Sequence, residues 1–166
     1  MKPKILFILH LPPPIHGAAM MGKYIQESEL VNSSFDCFCI NLATAGSLSD
    51  IGHISLKKLL KYFFLLKHIS HVVREIRPEL VYITPNAGGK AFFKDFIVVQ
   101  MLKSMGCKVI AHYHNKGVSV YQSKWVYNFF YKRFFSNLKV ILLAENLYKD
   151  IAKYVKREDV RSEERV

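Results

Sequence analysis

Short, unbroken apolar runs alternate along this chain with longer stretches in which apolar residues return every three or four positions. The runs are residues 4–11 (KILFILHL), 36–42, 80–84, 108–112 and 139–143. Between them lie helical patterns at 18–29, 55–77, 92–105, 124–135 and 146–155. A run with no polar alternation suits a strand covered on both faces. Strict alternation of such strands with helices predicts right-handed crossovers. The expected fold is α/β, a doubly wound parallel sheet with helices on both faces.

The punctuation agrees with these elements. Pro12, Pro13 and Pro14 stop the first run, because proline donates nothing to a sheet ladder and keeps its predecessor out of the helical region. Pro78 and Gly106 close the second and third helices. The stretch 44–53, rich in Gly, Ser and Asp, reads as a loop. In open parallel sheets ligands bind outside the carboxyl ends of the strands. Those ends, at 10–17, 41–46, 85–90, 112–117 and 144–146, are rich in glycine, histidine and asparagine. At the first of them a strand, a small-residue turn and a helix start make an anion cradle, which suggests a phosphate-bearing ligand.

Composition narrows the picture. A length of 166 residues fits one domain with a real core, and 51% hydrophobic with 22% charged residues is globular. The net charge of +11 points to an anionic partner, either nucleic acid, an acidic membrane surface or phosphorylated substrates. A solvated basic surface is the plain alternative. Cys37, Cys39 and Cys107 have no metal-ligand or redox spacing, and no metal site is expected. Cys37 and Cys39 would share one face of a strand as small buried hydrophobes. An odd cysteine count without a signal peptide favours a reducing compartment. No apolar stretch nears the ~20 residues a bilayer-spanning helix needs, so a soluble or peripheral protein is expected. Residues 1–157 read as the domain. Residues 158–166 read as a charged tail with no element to dock it, either solvated or the point where a longer protein has been cut.

The opening strand with HLPPPIHGAAMMGKYI, the PNAGGKAFFKD loop, VIAHYHNKG and LLAENLYKDI together resemble the N-terminal half of a retaining glycosyltransferase of the GT-B fold, family four. The resemblance covers roughly residues 3–157 and rests on the order and spacing of soft motifs. It implies a Rossmann-like, acceptor-side domain and transfer of a sugar from a nucleotide-sugar donor to a carbohydrate or lipid-linked acceptor. Cell-surface polysaccharide synthesis is the implied setting, at the cytoplasmic face of a membrane. The nucleotide sugar would be a substrate, and no cofactor is implied. The family's second domain, with its paired-glutamate motif, is not in the sequence, so the half alone is expected to be inactive.

Under that resemblance His16, Gly17 and Ala18 form the donor-phosphate loop, with Gly17 matching the second glycine of the family's pair. His114 is the expected catalytic residue, contacting the donor sugar in the turn after the fourth strand. Asn86, Gly88, Gly89, Lys90, His112 and Asn115 would line the acceptor cleft, the 86–90 loop being flexible and Lys90 and Lys94 meeting phosphates. Two histidines at i, i+2 on a strand share a face. Lys57, Lys58 and Lys61 on one helix, and Trp125, Lys132 and Arg133 on another, mark a membrane or anion surface. Each of these residues also has a plain reading in turn, core or solvated surface. The strand tips are expected to converge on one rim.

Two other functions compete. Dinucleotide-dependent redox chemistry is disfavoured, because PPPIHGAAM lacks a three-glycine fingerprint and no acid ends the second strand. A non-enzymatic basic module holding acidic lipid or RNA is the alternative, although no nucleic-acid partner is expected. The absence of an Asp-x-Asp triplet argues against metal-dependent single-domain transferases.

Overall fold

The computed structural model describes residues 2–13, 15–42 and 56–165. The 44–53 segment, read above as a loop, lies outside the described residues. Six strands form the sheet, β1 (Lys4–Leu9), β2 (Asp36–Asn41), β3 (Leu80–Ile83), β4 (Val109–Tyr113), β5 (Lys139–Leu142) and β6 (Val160–Ser162). All are parallel, in the order β2-β1-β3-β4-β5-β6. This is the α/β, Rossmann-like doubly wound arrangement, with one edge strand more than the apolar runs indicate. The chain divides into two compact units, Met1–Tyr82 and Ile83–Val166.

In the first unit every residue of β1 after Lys4 is buried, as its unbroken apolar run requires. Ile5, Phe7 and Leu9 pack with Ile25, Val31, Phe35 and Leu80. β2 pairs with β1 from Lys4↔Asp36 to Leu9↔Asn41 and forms an edge. Cys39 is therefore exposed and Cys37 only partly covered, which corrects the expectation of two buried thiols. α1 (Gly17–Glu27) ends at Ser28, whose hydroxyl accepts from the Val31 amide at 3.4 Å and caps a second short helix, α2 (Glu29–Ser34). A Cβ on Gly22 would lie 2.2 Å from the His10 carbonyl oxygen, so α1 rests on the end of β1 through bare backbone. α3 (Leu56–Ile76) buries only Ile69 and Val73.

In the second unit α4 (Gly89–Ser104) starts three residues before its apolar pattern. Gly89 and Lys90 are therefore its first turn, which corrects the expectation of a flexible loop through residue 90. α5 (Val118–Tyr121) and α6 (Trp125–Phe135) follow β4. The core here is aromatic: Phe92, Tyr131 and Phe134 are fully buried, with Phe92 centred 4.6 Å and 5.5 Å from the other two rings. The helix expected at 146–155 is shorter, a 3-10 turn at Glu145–Leu147 and one α-turn, α7 (Tyr148–Ile151). Leu147, Ile151 and Val155 keep their four-residue spacing, but the last turn closes back on the Ile151 carbonyl. The charged end is not undocked. Val160 and Ser162 point inward, Arg161 outward, and Val140 pairs with Val160. Three alternating residues among charges leave too little pattern to read as a strand.

Candidate functional site at the ends of β3 and β4

Two buried carboxylates hold the loops at the carboxyl ends of β3 and β4. Asp95, on the inner face of α4, accepts from the Asn86 amide at 2.8 Å and from Asn86 Nδ2 at 2.7 Å. Asp150 of α7 accepts from the Gly117 and Val118 amides at 2.9 Å each, and from the Ser119 amide at 3.0 Å. The Ser119 hydroxyl adds a fourth bond at 2.5 Å. Asp150 thus supplies from a distant helix the cap that Gly117 cannot give α5. Gly117 has φ 154°, a conformation open to glycine and strained for other residues.

The loops are also tied to each other. Asn115 Oδ1 accepts from the Ala87 amide at 3.2 Å, and the Tyr131 hydroxyl donates to the Ala87 carbonyl at 2.5 Å. A Cβ on Gly88 would lie 2.3 Å from the Tyr121 ring. The resulting frame is fixed on several sides, so groups mounted on it are pre-positioned.

The carboxylates differ electrically. Burial alone would raise Asp150, but the bonds from the Ser119 hydroxyl and the three amides outweigh it and hold the carboxyl below its usual range. Burial dominates at Asp95 and pushes its carboxyl up, with Lys94 and the Asn86 bonds offsetting only part. Asp95 Oδ1 is buried without a hydrogen-bond partner among the described residues.

His112 and His114 lie with ring centroids 4.1 Å apart, as their i, i+2 spacing implies. His112 is buried, and its Nε2 stands 3.2 Å from Glu163 Oε1 outside hydrogen-bonding alignment. Burial, and then His114, pushes His112 down to about 3. Burial raises the Glu163 carboxyl, so the contact is no strong ion pair. His114 is lowered by burial too, and both its ring nitrogens are shielded from water without partners among the described residues. Both imidazoles are neutral at neutral pH. Such a ring offers one donor and one acceptor.

Compared with protein-family models, with curated proteins and with solved structures, the chain finds no match.

Lys90 is exposed, and the Asn86 amide group and Asn115 carbonyl are spent on the frame. In the first unit His16 caps α1, its Nδ1 accepting from the Ala19 amide at 3.3 Å, so this nitrogen is committed to the helix rather than to a ligand. A Cβ on Gly17 would meet nothing within 4 Å, so packing does not demand glycine there. Ala18 follows in the same first turn. Lys57 and Lys61 are exposed on α3, and Lys58 is partly covered. On α6, Trp125, Lys132 and Arg133 are exposed, while Tyr131, Phe134 and Phe135 are core. No group of three His, Cys, Asp or Glu side chains among the described residues could hold a metal ion. An open depression of about 410 Å³ is lined by Lys2, Lys4, Asn32 and Asp36 at the amino-terminal ends of β1 and β2, the end where such sheets do not bind ligands.

Asp95, Asp150, Tyr131 and Glu163 were not legible as site residues. Asp95 carried a signal, an acid on the stripe Phe92, Val98, Val99, Leu102 that the helix turns inward. Glu163 carried none, since it reaches His112 only through the sixth strand.

Proposed function

We propose that this chain is the acceptor-side domain of a retaining, metal-independent glycosyltransferase of GT-B type. Its ligands would be a nucleotide-sugar donor and a glycan or lipid-linked acceptor. The parallel α/β sheet is compatible with that reading. The observation that carries it is His114, a neutral imidazole at the end of β4 with both nitrogens sheltered and unpaired among the described residues. Leaving two such groups unpaired costs about 1–3 kcal/mol each, a cost a ligand would remove by bonding them once the cover over the ring is displaced. A sugar hydroxyl, donor and acceptor at once, is a fitting partner.

In this role His114 binds and orients rather than carrying charge. Transfer with retention passes through an oxocarbenium-like centre and a departing diphosphate, which need electrostatic stabilisation. A neutral imidazole supplies a directed dipole to the sugar. The cation that neutralises the diphosphate would come from the second domain of such an enzyme. The start of α1, with Gly17 open to approach, would be the anion-facing element of the first unit.

Calorimetric titration with a panel of nucleoside-diphosphate sugars tests the reading. Saturable binding is expected, weakened at least tenfold by His114→Ala while the free nucleoside diphosphate is little affected. Absence of saturable binding by any donor, or binding indifferent to His114, would overturn it.

A further inference from the structure

α3 carries two apolar faces, and only one of them packs against the protein. Ile69 and Val73 are buried, with Tyr62, Leu65 and Leu66 half-covered beside them. Leu56, Leu59, Leu60, Phe63 and Phe64 are 74%, 60%, 52%, 52% and 64% exposed. At 100° per residue the exposed set is centred roughly 130° around the axis from Ile69 and Val73. It is therefore a separate stripe, continuous over the first two turns. Core packing does not account for it.

The charges beside the stripe all have one sign. Lys57 and Lys61 border it, and Lys67 lies along it with Nζ 5.1 Å from the Phe63 ring centroid. No carboxylate occurs on α3 before Glu75, which pairs locally with His71 at 3.5 Å. A convex row of leucine and phenylalanine edged by lysine suits a flat apolar layer beneath negative headgroups. α3 itself is not long and apolar enough to cross a membrane. We propose that the first turns of α3 dock the protein on an anionic lipid surface, the stripe entering the headgroup boundary and Lys57 and Lys61 meeting lipid phosphates. This docking stands apart from the sugar-transfer reading and does not depend on it.

The test is sedimentation of the full chain with vesicles of phosphatidylcholine alone or mixed with phosphatidylglycerol, at low and high salt. Partition onto the mixed vesicles is expected to exceed that onto phosphatidylcholine at least tenfold and to weaken as salt rises. Two double variants, Phe63→Ser with Phe64→Ser and Lys57→Glu with Lys61→Glu, should each lose at least tenfold in partition with unchanged circular dichroism. All four side chains are exposed, so the fold should tolerate the changes. Equal partition onto both vesicle types, or partition indifferent to the variants, would overturn the proposal. So would self-association in solution that the Phe63→Ser, Phe64→Ser pair abolishes, since a second copy would then cover the stripe.

Discussion

Replacing Asp150 by asparagine keeps the side-chain shape and removes the acceptor that holds α5. The carboxylate takes four hydrogen bonds, two on each oxygen, and is buried. Asparagine keeps one acceptor oxygen and turns an NH2 group toward amides that also donate. In the better orientation the NH2 group faces Ser119, whose N–H loses its partner at about 1–3 kcal/mol. The Gly117 and Val118 amides then exchange a charged acceptor for a neutral one. Allowing for non-additivity, the expected loss is about 3 kcal/mol, or roughly 100-fold in local opening. Amide hydrogen exchange reads this directly, because the Gly117, Val118 and Ser119 amides owe their protection to this one residue. Their exchange should accelerate about 100-fold in Asp150→Asn and stay unchanged in Glu158→Gln, an exposed acid paired with Lys156 at 3.5 Å. The sign with pH follows from the lowered carboxyl. Its contribution is complete above the ordinary carboxylate range near pH 4, and is lost as pH falls through the lower folded value. Variant and parent should therefore converge in strong acid. Unchanged exchange at these three amides in a folded Asp150→Asn protein would refute the capping argument.

The two glycines of α1 should part company. Gly22→Ala forces a Cβ against the His10 carbonyl and should cost about 1–3 kcal/mol in denaturant unfolding, whereas Gly17→Ala should leave stability within about 0.5 kcal/mol. His112 should make the protein acid-sensitive. Its folded value of about 3 lies below the ordinary 6.5, so the unfolded chain binds the extra proton. Stability should be full above pH 6.5 and fall by about 1.4 kcal/mol per unit as pH drops toward 3, with His114 adding in the same direction. Denaturant midpoints at pH 7 and pH 5 measure the slope, and His112→Gln should flatten it.

The parallel sheet was readable because β1 and β4 are covered on both faces and leave unbroken apolar runs. The break at Ser28 within the expected 18–29 helix was not read, because Leu30 and Val31 alone give no periodicity over the six residues of α2. β6 was hidden because Val160 and Ser162 are its only inward residues among arginine and glutamate. The histidine pair was legible from its spacing alone. The frame beneath it was not, because Asp95 and Asp150 act across 9 and more than 30 residues, where no local pattern reports them.

In the proposed function His114 is the ligand-facing group of a site framed by residues 84–88 and 114–117. The most direct test is a nitrogen-15 NMR titration of the full chain with nucleoside-diphosphate sugars, following the His114 ring nitrogens and the Ala87, Gly88, Asn115 and Gly117 amides. Saturable shifts concentrated on those signals are the expected result. Shifts confined to other parts of the chain, with the His114 ring unmoved at saturation, would contradict it.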